Sequence, residues 1–531
     1  MAVAARSWLI RGLILAGVAL VAGLGWVASS WVSPERVREK VVAHLNEQFE
    51  GVDVHVGSAR MRILGGIAVT DLKLTRRGEE RAFLVVPVAV LYHDKEQLNR
   101  GRLVIRKVEL EHAELHLVRS AAGRWNVAEV SRSSPADRPV PTFVAKGATV
   151  TVTDHAPNGM PPQRFTDARF TLLNDPLPVL TLQASATAEG FGPVTLRARM
   201  NRITNQTSLG VEMSDFAVGN VAKLADRLVP SLAPHLLKLT ATASIKADLT
   251  YTPDAAPAWR HDVRVELKDG RYEHPDLPGV VEKLTAKARS VDGRIKVDEA
   301  TAQIGAAQVR VSFETRPDQP AVNIGGPLRQ GGDVLAAVED QLQRIDVSVS
   351  GVALTDELFA RLGDIGPKLK RMFSPAGSVD VGYKFTREAA GWKREFEARP
   401  KSIEVTYEKF RYRVKDVRGW VKKTLTHAGG SATHVDLVGA VEGQPVTFKG
   451  QIGGEGSDPA LNLRIAGSNI PLTEALIAAL PGKYSDIVRQ FNPTGRGDIV
   501  AELVQQQGVN LCENEFRIDV RDGTAKYKVF P

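Results

Sequence analysis

Beyond Val52 the chain alternates apolar and polar residues, the period of a strand with one face buried and the other in water. The clearest runs are Val309, Val311, Phe313; Val379, Val381, Tyr383, Phe385; and Ile499, Ala501, Leu503. Ala243, Ile245, Ala247, Leu249, Tyr251 and Leu461, Leu463, Ile465 repeat the pattern. Asp269-Gly270, Asp292-Gly293, Gly453-Gly454 and Asp522-Gly523 lie between such runs and read as tight turns. The expectation is a mainly β chain: an elongated, curled antiparallel sheet with short hairpins, one apolar face and one wet face. At 531 residues the chain is too long for one compact core, and length alone suggests roughly three to four domains.

Helical segments interrupt this rhythm. Thr355 is placed to cap a run carrying Leu358, Leu362, Ile365, Leu369 and Phe373, with Gly366-Pro367 expected to break or kink it. Thr473 opens a second run with Leu476, Ile477, Leu480, Ile487 and Phe491, and a third lies near Val221, Leu224 and Leu228. The first two are copies. Leu354-Thr355-Asp356 and Leu472-Thr473-Glu474 stand 118 residues apart, as do Phe373-Ser374-Pro375-Ala376-Gly377 and Phe491-Asn492-Pro493-Thr494-Gly495, and Asp380 and Asp498. Tyr407 and Phe410 match Tyr527 and Phe530 at 120 residues, and a looser third copy runs through Val221–Leu239 to Tyr251. Trp259 and Trp392 precede the aromatic strand ends of the earlier copies, and these aromatics read equally as sheet packing or as lipid contacts. A repeated unit that cannot bury its own face implies one-dimensional stacking. The copy starting at Leu472 halts near Phe530 where its predecessor runs on, which implies a fragment of a longer protein.

The N-terminus reads differently. Gly12 to Val32 has no charged residue, and at about 1.5 Å per residue it matches a hydrocarbon core of about 30 Å. Gly12, Leu15, Val18, Leu20 and Leu24 lie along this span, with Trp26 and Trp31 near its end where indole rings favour the interface. A cleaved signal peptide would have a shorter apolar region and a clear small-residue cleavage site, so an uncleaved anchor is expected, its short N-terminus inside. Ser33-Pro34-Glu35 then starts a helix with Val37, Val41, Leu45 and Phe49 on one stripe, expected to pack on the sheet.

Composition narrows the function. Apolar residues make up 43% and charged residues 24%, so the chain is not a disordered polymer. The net charge of +8 is diffuse, without a basic block or a nucleic-acid module; weak attraction to anionic lipid is its functional reading. The lone Cys512 excludes an intrachain disulfide and multi-cysteine metal sites, and no cofactor is implied. No phosphate-binding loop is spelled, since Tyr484 follows Gly482-Lys483. His112 and His116, with Glu111 and Glu114, have metal-pair spacing but sit in strand-like sequence. Asp154-His155 and His434-x-Asp436 lack a nucleophile elbow, and Gly450–Gly456 reads as a turn.

The first 130 residues carry a further pattern: a membrane span, a short amphipathic helix, Val69-Thr70-Asp71-Leu72-Lys73-Leu74, then Leu98-Asn99-Arg100-Gly101-Arg102-Leu103-Val104-Ile105, Val108-Glu109-Leu110, Ala113-Glu114-Leu115-His116-Leu117 and Gly123-Arg124-Trp125-Asn126. This resembles the N-terminal region of the AsmA-like family of bacterial envelope proteins, which includes AsmA, TamB and YhdP and is similar to chorein-type bridge proteins. The resemblance implies 1–32 as cytoplasmic stub and anchor in the inner membrane, 33–130 as the family's N-terminal region and 131–531 as a repeating β-groove body in the periplasm. It also implies a non-enzymatic conduit carrying phospholipid towards the outer membrane, with an outer-membrane partner protein. Val309, Val311, Phe313, Val379, Val381, Tyr383, Phe385, Ile499 and Leu503 are the candidate groove lining, where acyl chains would gain about 0.8 kcal/mol per buried methylene. The alternative is an envelope protein-assembly or secretion scaffold that pairs with client strands.

Overall fold

In the computed structural model the described residues run from Ser33 to Tyr527, apart from 63–64, 95, 98–99, 101, 129, 131–134, 137, 158, 222–235, 275–278, 317–338, 362–364, 409, 455–459, 481 and 510–511. The chain is mainly β, at 65% strand and 13% helix. It divides into two units: Met1–Pro234 with Ala243–Val263, and His235–Thr242 with Arg264–Pro531. The stretch 12–32 expected to span a membrane, with Gly12, Leu15, Val18, Leu20, Leu24, Trp26 and Trp31, lies outside the described residues, as does the third expected helical run beyond Val221. Among the described residues no helix is long and apolar enough to cross a membrane.

The first unit opens with helix α1 (Pro34–Gln48). Ser33 caps it, its hydroxyl accepting from the Arg36 N–H at 3.4 Å, and Pro34 occupies a position where no N–H is needed. Val37 and Val41 are buried against the sheet, Leu45 and Phe49 pack beside them, and Arg38 donates to the Val56 carbonyl at 2.7 Å. The strands are β1 (Val52–Met61), β2 (Ile67–Arg76), β3 (Ala82–His93), β4 (Ile105–Glu111), β5 (Glu114–Arg119), β6 (Thr142–Asp154), β7 (Gln163–Leu173), β8 (Val179–Ala188), β9 (Gly192–Asn201) and β10 (Thr207–Ala217). β1 to β3 and β6 to β10 are antiparallel meanders. β4 and β5 form one interrupted strand between β3 and β6, antiparallel to the first and parallel to the second. The mostly antiparallel expectation therefore has a parallel exception here, where the chain turns at Gly123–Asn126 before β6. Asn126 is buried there and stands in for a strand partner of β5, accepting from the Val118 N–H at 2.9 Å and donating to the His116 carbonyl at 2.8 Å.

β11 (Leu239–Tyr251) and β12 (Trp259–Tyr272) contribute residues to both units. The second unit continues with β13 (Val281–Val291), β14 (Arg294–Ile304), β15 (Ala307–Thr315), β16 (Leu342–Ala353), β17 (Ala376–Glu388), β18 (Gly391–Tyr407), β19 (Phe410–Thr426), β20 (Ser431–Val441), β21 (Gln444–Gly453), β22 (Ala460–Pro471), β23 (Thr494–Gln505) and β24 (Cys512–Thr524). From β13 onward each strand is antiparallel to the next. Helices α2 (Asp356–Arg361) and α3 (Ile365–Phe373) follow β16, and α4 (Glu474–Ala479) and α5 (Gly482–Phe491) follow β22.

Two of the four pairs read as turns are not turns. Asp292-Gly293 does join β13 to β14, and Gly453-Gly454 stands at the end of β21, but Asp269-Gly270 lies inside β12 and Asp522-Gly523 inside β24. In both cases the aspartate takes a left-handed conformation, φ 52° and 48°, as an inserted residue does in a β-bulge. The glycine after it lets the neighbouring strand approach: a Cβ at Gly270 would meet Leu284 Cβ at 2.8 Å, and one at Gly523 would meet the Thr494 carbonyl at 2.7 Å.

Candidate functional site

Residues directly opposite in an antiparallel ladder share a face, so register alone shows which side chains line up. Val309 pairs with Val349, Val349 with Val381, Val381 with Ala398, Ala398 with Val421 and Val421 with Val435. The same row runs on through Gly450, Leu463 and Leu503. Beside it, Val311 leads to Val347, Tyr383 and Phe396, and Phe313 leads to Ile345 and Phe385. Val379 pairs with Val352, and Ile499 with Gly467 in the row of Val446. Val309, Val311, Phe313, Val379, Val381, Tyr383, Phe385, Ile499 and Leu503 therefore all stand on one face of the second unit.

The opposite face is charged. The row through Arg310, Ser348, Gly382, Glu397, Lys422 and His434 alternates with the apolar ones. Lys384 pairs with Asp346 at 3.1 Å, Lys422 with Glu395 at 3.0 Å, and Lys449 with Asp436 at 3.6 Å. Partly exposed pairs of this kind are worth roughly 0–1 kcal/mol each, so this face keeps the sheet soluble while its ladder and apolar face carry stability.

The first unit is built the same way. Ala59 pairs with Val69, Val69 with Ala89, Ala89 with Leu110, and Leu110 with Ala145. The row continues through Phe170, Ala184, Leu196 and Val211. Its environment changes along the way. Ala59, Val69, Ala89 and Ala145 are almost fully buried in the cluster that holds α1, while Phe170, Ala184, Leu196 and Val211 are only half-buried. The helix thus closes one end of an apolar face that stays partly open beyond it.

In the second unit the apolar face is also half-open. Val309, Val311, Ile499 and Leu503 are half-buried, and Val381 is 39% exposed. Phe385, at 1%, and Val379, at 9%, are the exceptions. α4 covers the strand ends on one side, where Leu476 and Ala479 pack with Tyr412, Val446 and Ile470. Residues left half-exposed in so long an apolar row offer surface that a long apolar ligand would bury.

The other residues weighed in the sequence take these places. His112, at φ 52°, sits at the break between β4 and β5 with its ring against Gly147, and His116 lies on β5. A cavity of about 440 Å³ collects Glu111, His112, Lys146, Asp167 and Arg169 on the charged face. Among the described residues no group of potential ligands could hold a metal ion. Asp154 is engaged by Arg119 at 3.5 Å, and its carboxyl is held below the usual range by the Ala156 N–H above all. The aromatic residues meet one another: Trp259 lies 5.0 Å from Tyr251 and is 55% exposed, Tyr407 stacks on Phe373, and Phe410 meets Tyr412 edge-on. Sequence reading missed Arg387, Arg394 and Glu339, which sit on or against the apolar face; charge interrupting the alternation at Arg387 and Arg394 was the available signal.

No family model and no curated protein matches the chain.

Proposed function

We propose that this chain is an AsmA-like envelope protein and that its uncharged sheet face carries phospholipid acyl chains from the inner towards the outer membrane without chemical transformation. The observation that carries the reading is the unbroken register row from Val309 to Leu503, apolar or glycine at every strand and half-open to solvent. A lipid tail laid across such rows loses contact with water at each strand it passes, worth about 0.8 kcal/mol per methylene, while its head group stays at the rim. An apolar face favours this cargo over client strands, which would be recognised through backbone groups at an edge. The N-terminal span would hold the chain in the inner membrane, with the sheet in the periplasm and an outer-membrane partner at the far side.

Native mass spectrometry of the chain extracted in mild detergent tests the reading: phospholipid should remain bound. Val381→Asp should reduce the bound lipid with little loss of fold, because Val381 is 39% exposed and the new carboxylate can be hydrated. Global unfolding by this substitution would show the row to be a closed core and defeat the conduit.

A further inference from the structure

Three basic side chains stand on the otherwise uncharged rows of the second unit's apolar face. Arg394 pairs with Phe385 and Leu425, in the row of Phe313. Lys423 pairs with Phe396 and Thr433, in the row of Val311 and Tyr383. Arg387 pairs with Trp392 one step further towards the strand ends. The three lie on adjacent strands, at the end of the face opposite the helices. No acidic residue of those rows balances them.

The balancing group comes from outside the sheet. Glu339, in the helical segment 339–341 that leads into β16, is buried, with 3% of its side chain exposed. Its carboxylate accepts from Arg394 Nε at 2.9 and 3.0 Å, from Arg394 Nη2 and from the Tyr383 hydroxyl, and its backbone carbonyl accepts from Arg387 Nη2 at 3.1 Å. Burial, and then this carboxylate, push the Tyr383 phenol well above its usual range. The Arg394 guanidinium lies 4.1 Å from the Trp392 ring centre and that of Arg387 5.6 Å from Phe385, so both forks are fixed by aromatic faces. Asp340 reaches Arg387 at 3.7 Å but is itself 81% exposed. Among the described residues Lys423 has no carboxylate partner. Burying a carboxylate on an apolar surface is costly unless it is fully paired, and a hydrophobic side chain would serve packing as well. The seat that holds Glu339 is a fork of donors with a phenol, and a surplus cation stands on the next strand two residues from the partner of Arg394, the arrangement that receives a phosphate.

We propose that Arg394, Lys423 and Arg387 form a phosphate seat for the head group of an anionic phospholipid, with Glu339 occupying the Arg394 fork as an internal anion until lipid displaces it. The inference rests on the reading of the face as an acyl trough and adds where along it a head group is recognised. Lipid arriving with its phosphate takes the fork and the Lys423 ammonium, and its chains run along the rows of Val381 and Phe396.

Binding of dihexanoyl phosphatidylglycerol, dihexanoyl phosphatidylcholine and inorganic phosphate to the purified chain, each followed by calorimetry, tests the seat. The wild type should prefer the anionic lipid by about tenfold, the size of one charge-assisted contact, and the preference should shrink with added salt. Lys423→Met should reduce the preference to about twofold or less, and Glu339→Gln should tighten the anionic lipid by about tenfold. Lys423 is exposed, so its variant keeps the fold and decides the matter if Glu339→Gln does not fold. An unchanged preference in Lys423→Met overturns the seat and leaves the trough standing. Failure of the wild type to bind either lipid overturns the trough itself. Inorganic phosphate binding as tightly as the anionic lipid overturns the head-group assignment in favour of a free anion.

Discussion

Asp380 and Asp498, matched in sequence 118 residues apart, do the same work. Asp380 Oδ1 accepts from the Gly351 N–H at 2.8 Å, and Asp498 Oδ1 accepts from the Asn469 N–H at 2.8 Å. Each donor is the left-handed residue of a bulge, φ 74° and 57°, whose N–H has left the ladder. In the loose third copy the Asp215 N–H, at φ 53°, donates to Ser244 Oγ at 3.2 Å, so that copy keeps the bond with a different side chain. Asp380→Ala strands the Gly351 donor, and chemical denaturation should show a loss of about 1–3 kcal/mol. The pH dependence has a definite sign. Burial raises the Asp380 carboxyl, but the Lys401 ammonium at 2.8 Å and the Gly351 N–H together outweigh it and hold the pKa below the usual value. A depressed folded pKa gives stability that is present above the unfolded value, about 3.9, and lost as pH falls through the folded one. The advantage of the wild type over Asp380→Asn should therefore be full at neutral pH and fade in strong acid; an advantage that grows on acidification would contradict the pairing. The bulges also explain why Asp-Gly misled sequence reading: an aspartate in the left-handed region followed by glycine suits a hairpin turn and an in-strand bulge alike, and only the strand alongside decides.

At the scale of elements, the repeat was legible, and its internal break was legible in the first copy only. Thr355 and Thr473 cap their helices as the sequence suggests, accepting from the Leu358 and Leu476 N–H groups at 3.2 and 3.3 Å. The two runs, however, are helix pairs. Gly366-Pro367 sits in the opening turn of α3, where proline loses no bond, and the run divides into α2 and α3 ahead of it, as the expected break or kink requires. In the second run α4 stops at Leu480, whose ψ of 147° is what a following proline imposes, and Pro481 was the overlooked signal. Each pair ends on an aromatic clasp: Phe373 lies 5.6 Å from Tyr407 and Phe491 lies 5.1 Å from Tyr527. Double-mutant cycles to alanine should give a coupling of about 0.5–1.5 kcal/mol in each copy, since each joins the last helical residue to the far end of a strand hairpin. A coupling in one copy and none in the other would mean that the 118-residue match reflects sequence drift from a common ancestor with no shared packing. Thr473→Ala should cost about 1 kcal/mol, read by the same unfolding assay.

At the scale of the whole molecule, alternation announced a sheet with two unlike faces because a strand's period of two leaves no other way to place so many valines. It could not announce where a face is covered, since that depends on segments distant in sequence. Phe385 and Val381 illustrate this: both fall on the same alternating run, yet Phe385 is buried beneath Arg387 and the helical segment carrying Glu339 while Val381 faces solvent. Phe385→Ala should cost about 3–5 kcal/mol, whereas substitution at Val381 should spare the fold. The separation of stability from transport can be carried further. Val381, Val421 and Leu463 lie in one registered row on β17, β19 and β22, none of them hydrogen-bonded through its side chain. If lipid passes from strand to strand along that row, a carboxylate introduced at any one of the three interrupts the same path. Val381→Asp, Val421→Asp and Leu463→Asp, made singly in the chain, should each slow transfer of a fluorescent phospholipid between donor and acceptor vesicles by a similar factor, and a pair of them should add little to one. If each position instead served its own independent binding patch, the effects would multiply, and bound lipid counted by native mass spectrometry would fall stepwise with each substitution. Series behaviour in transfer, with only a partial fall in bound lipid, is the result that a continuous conduit requires.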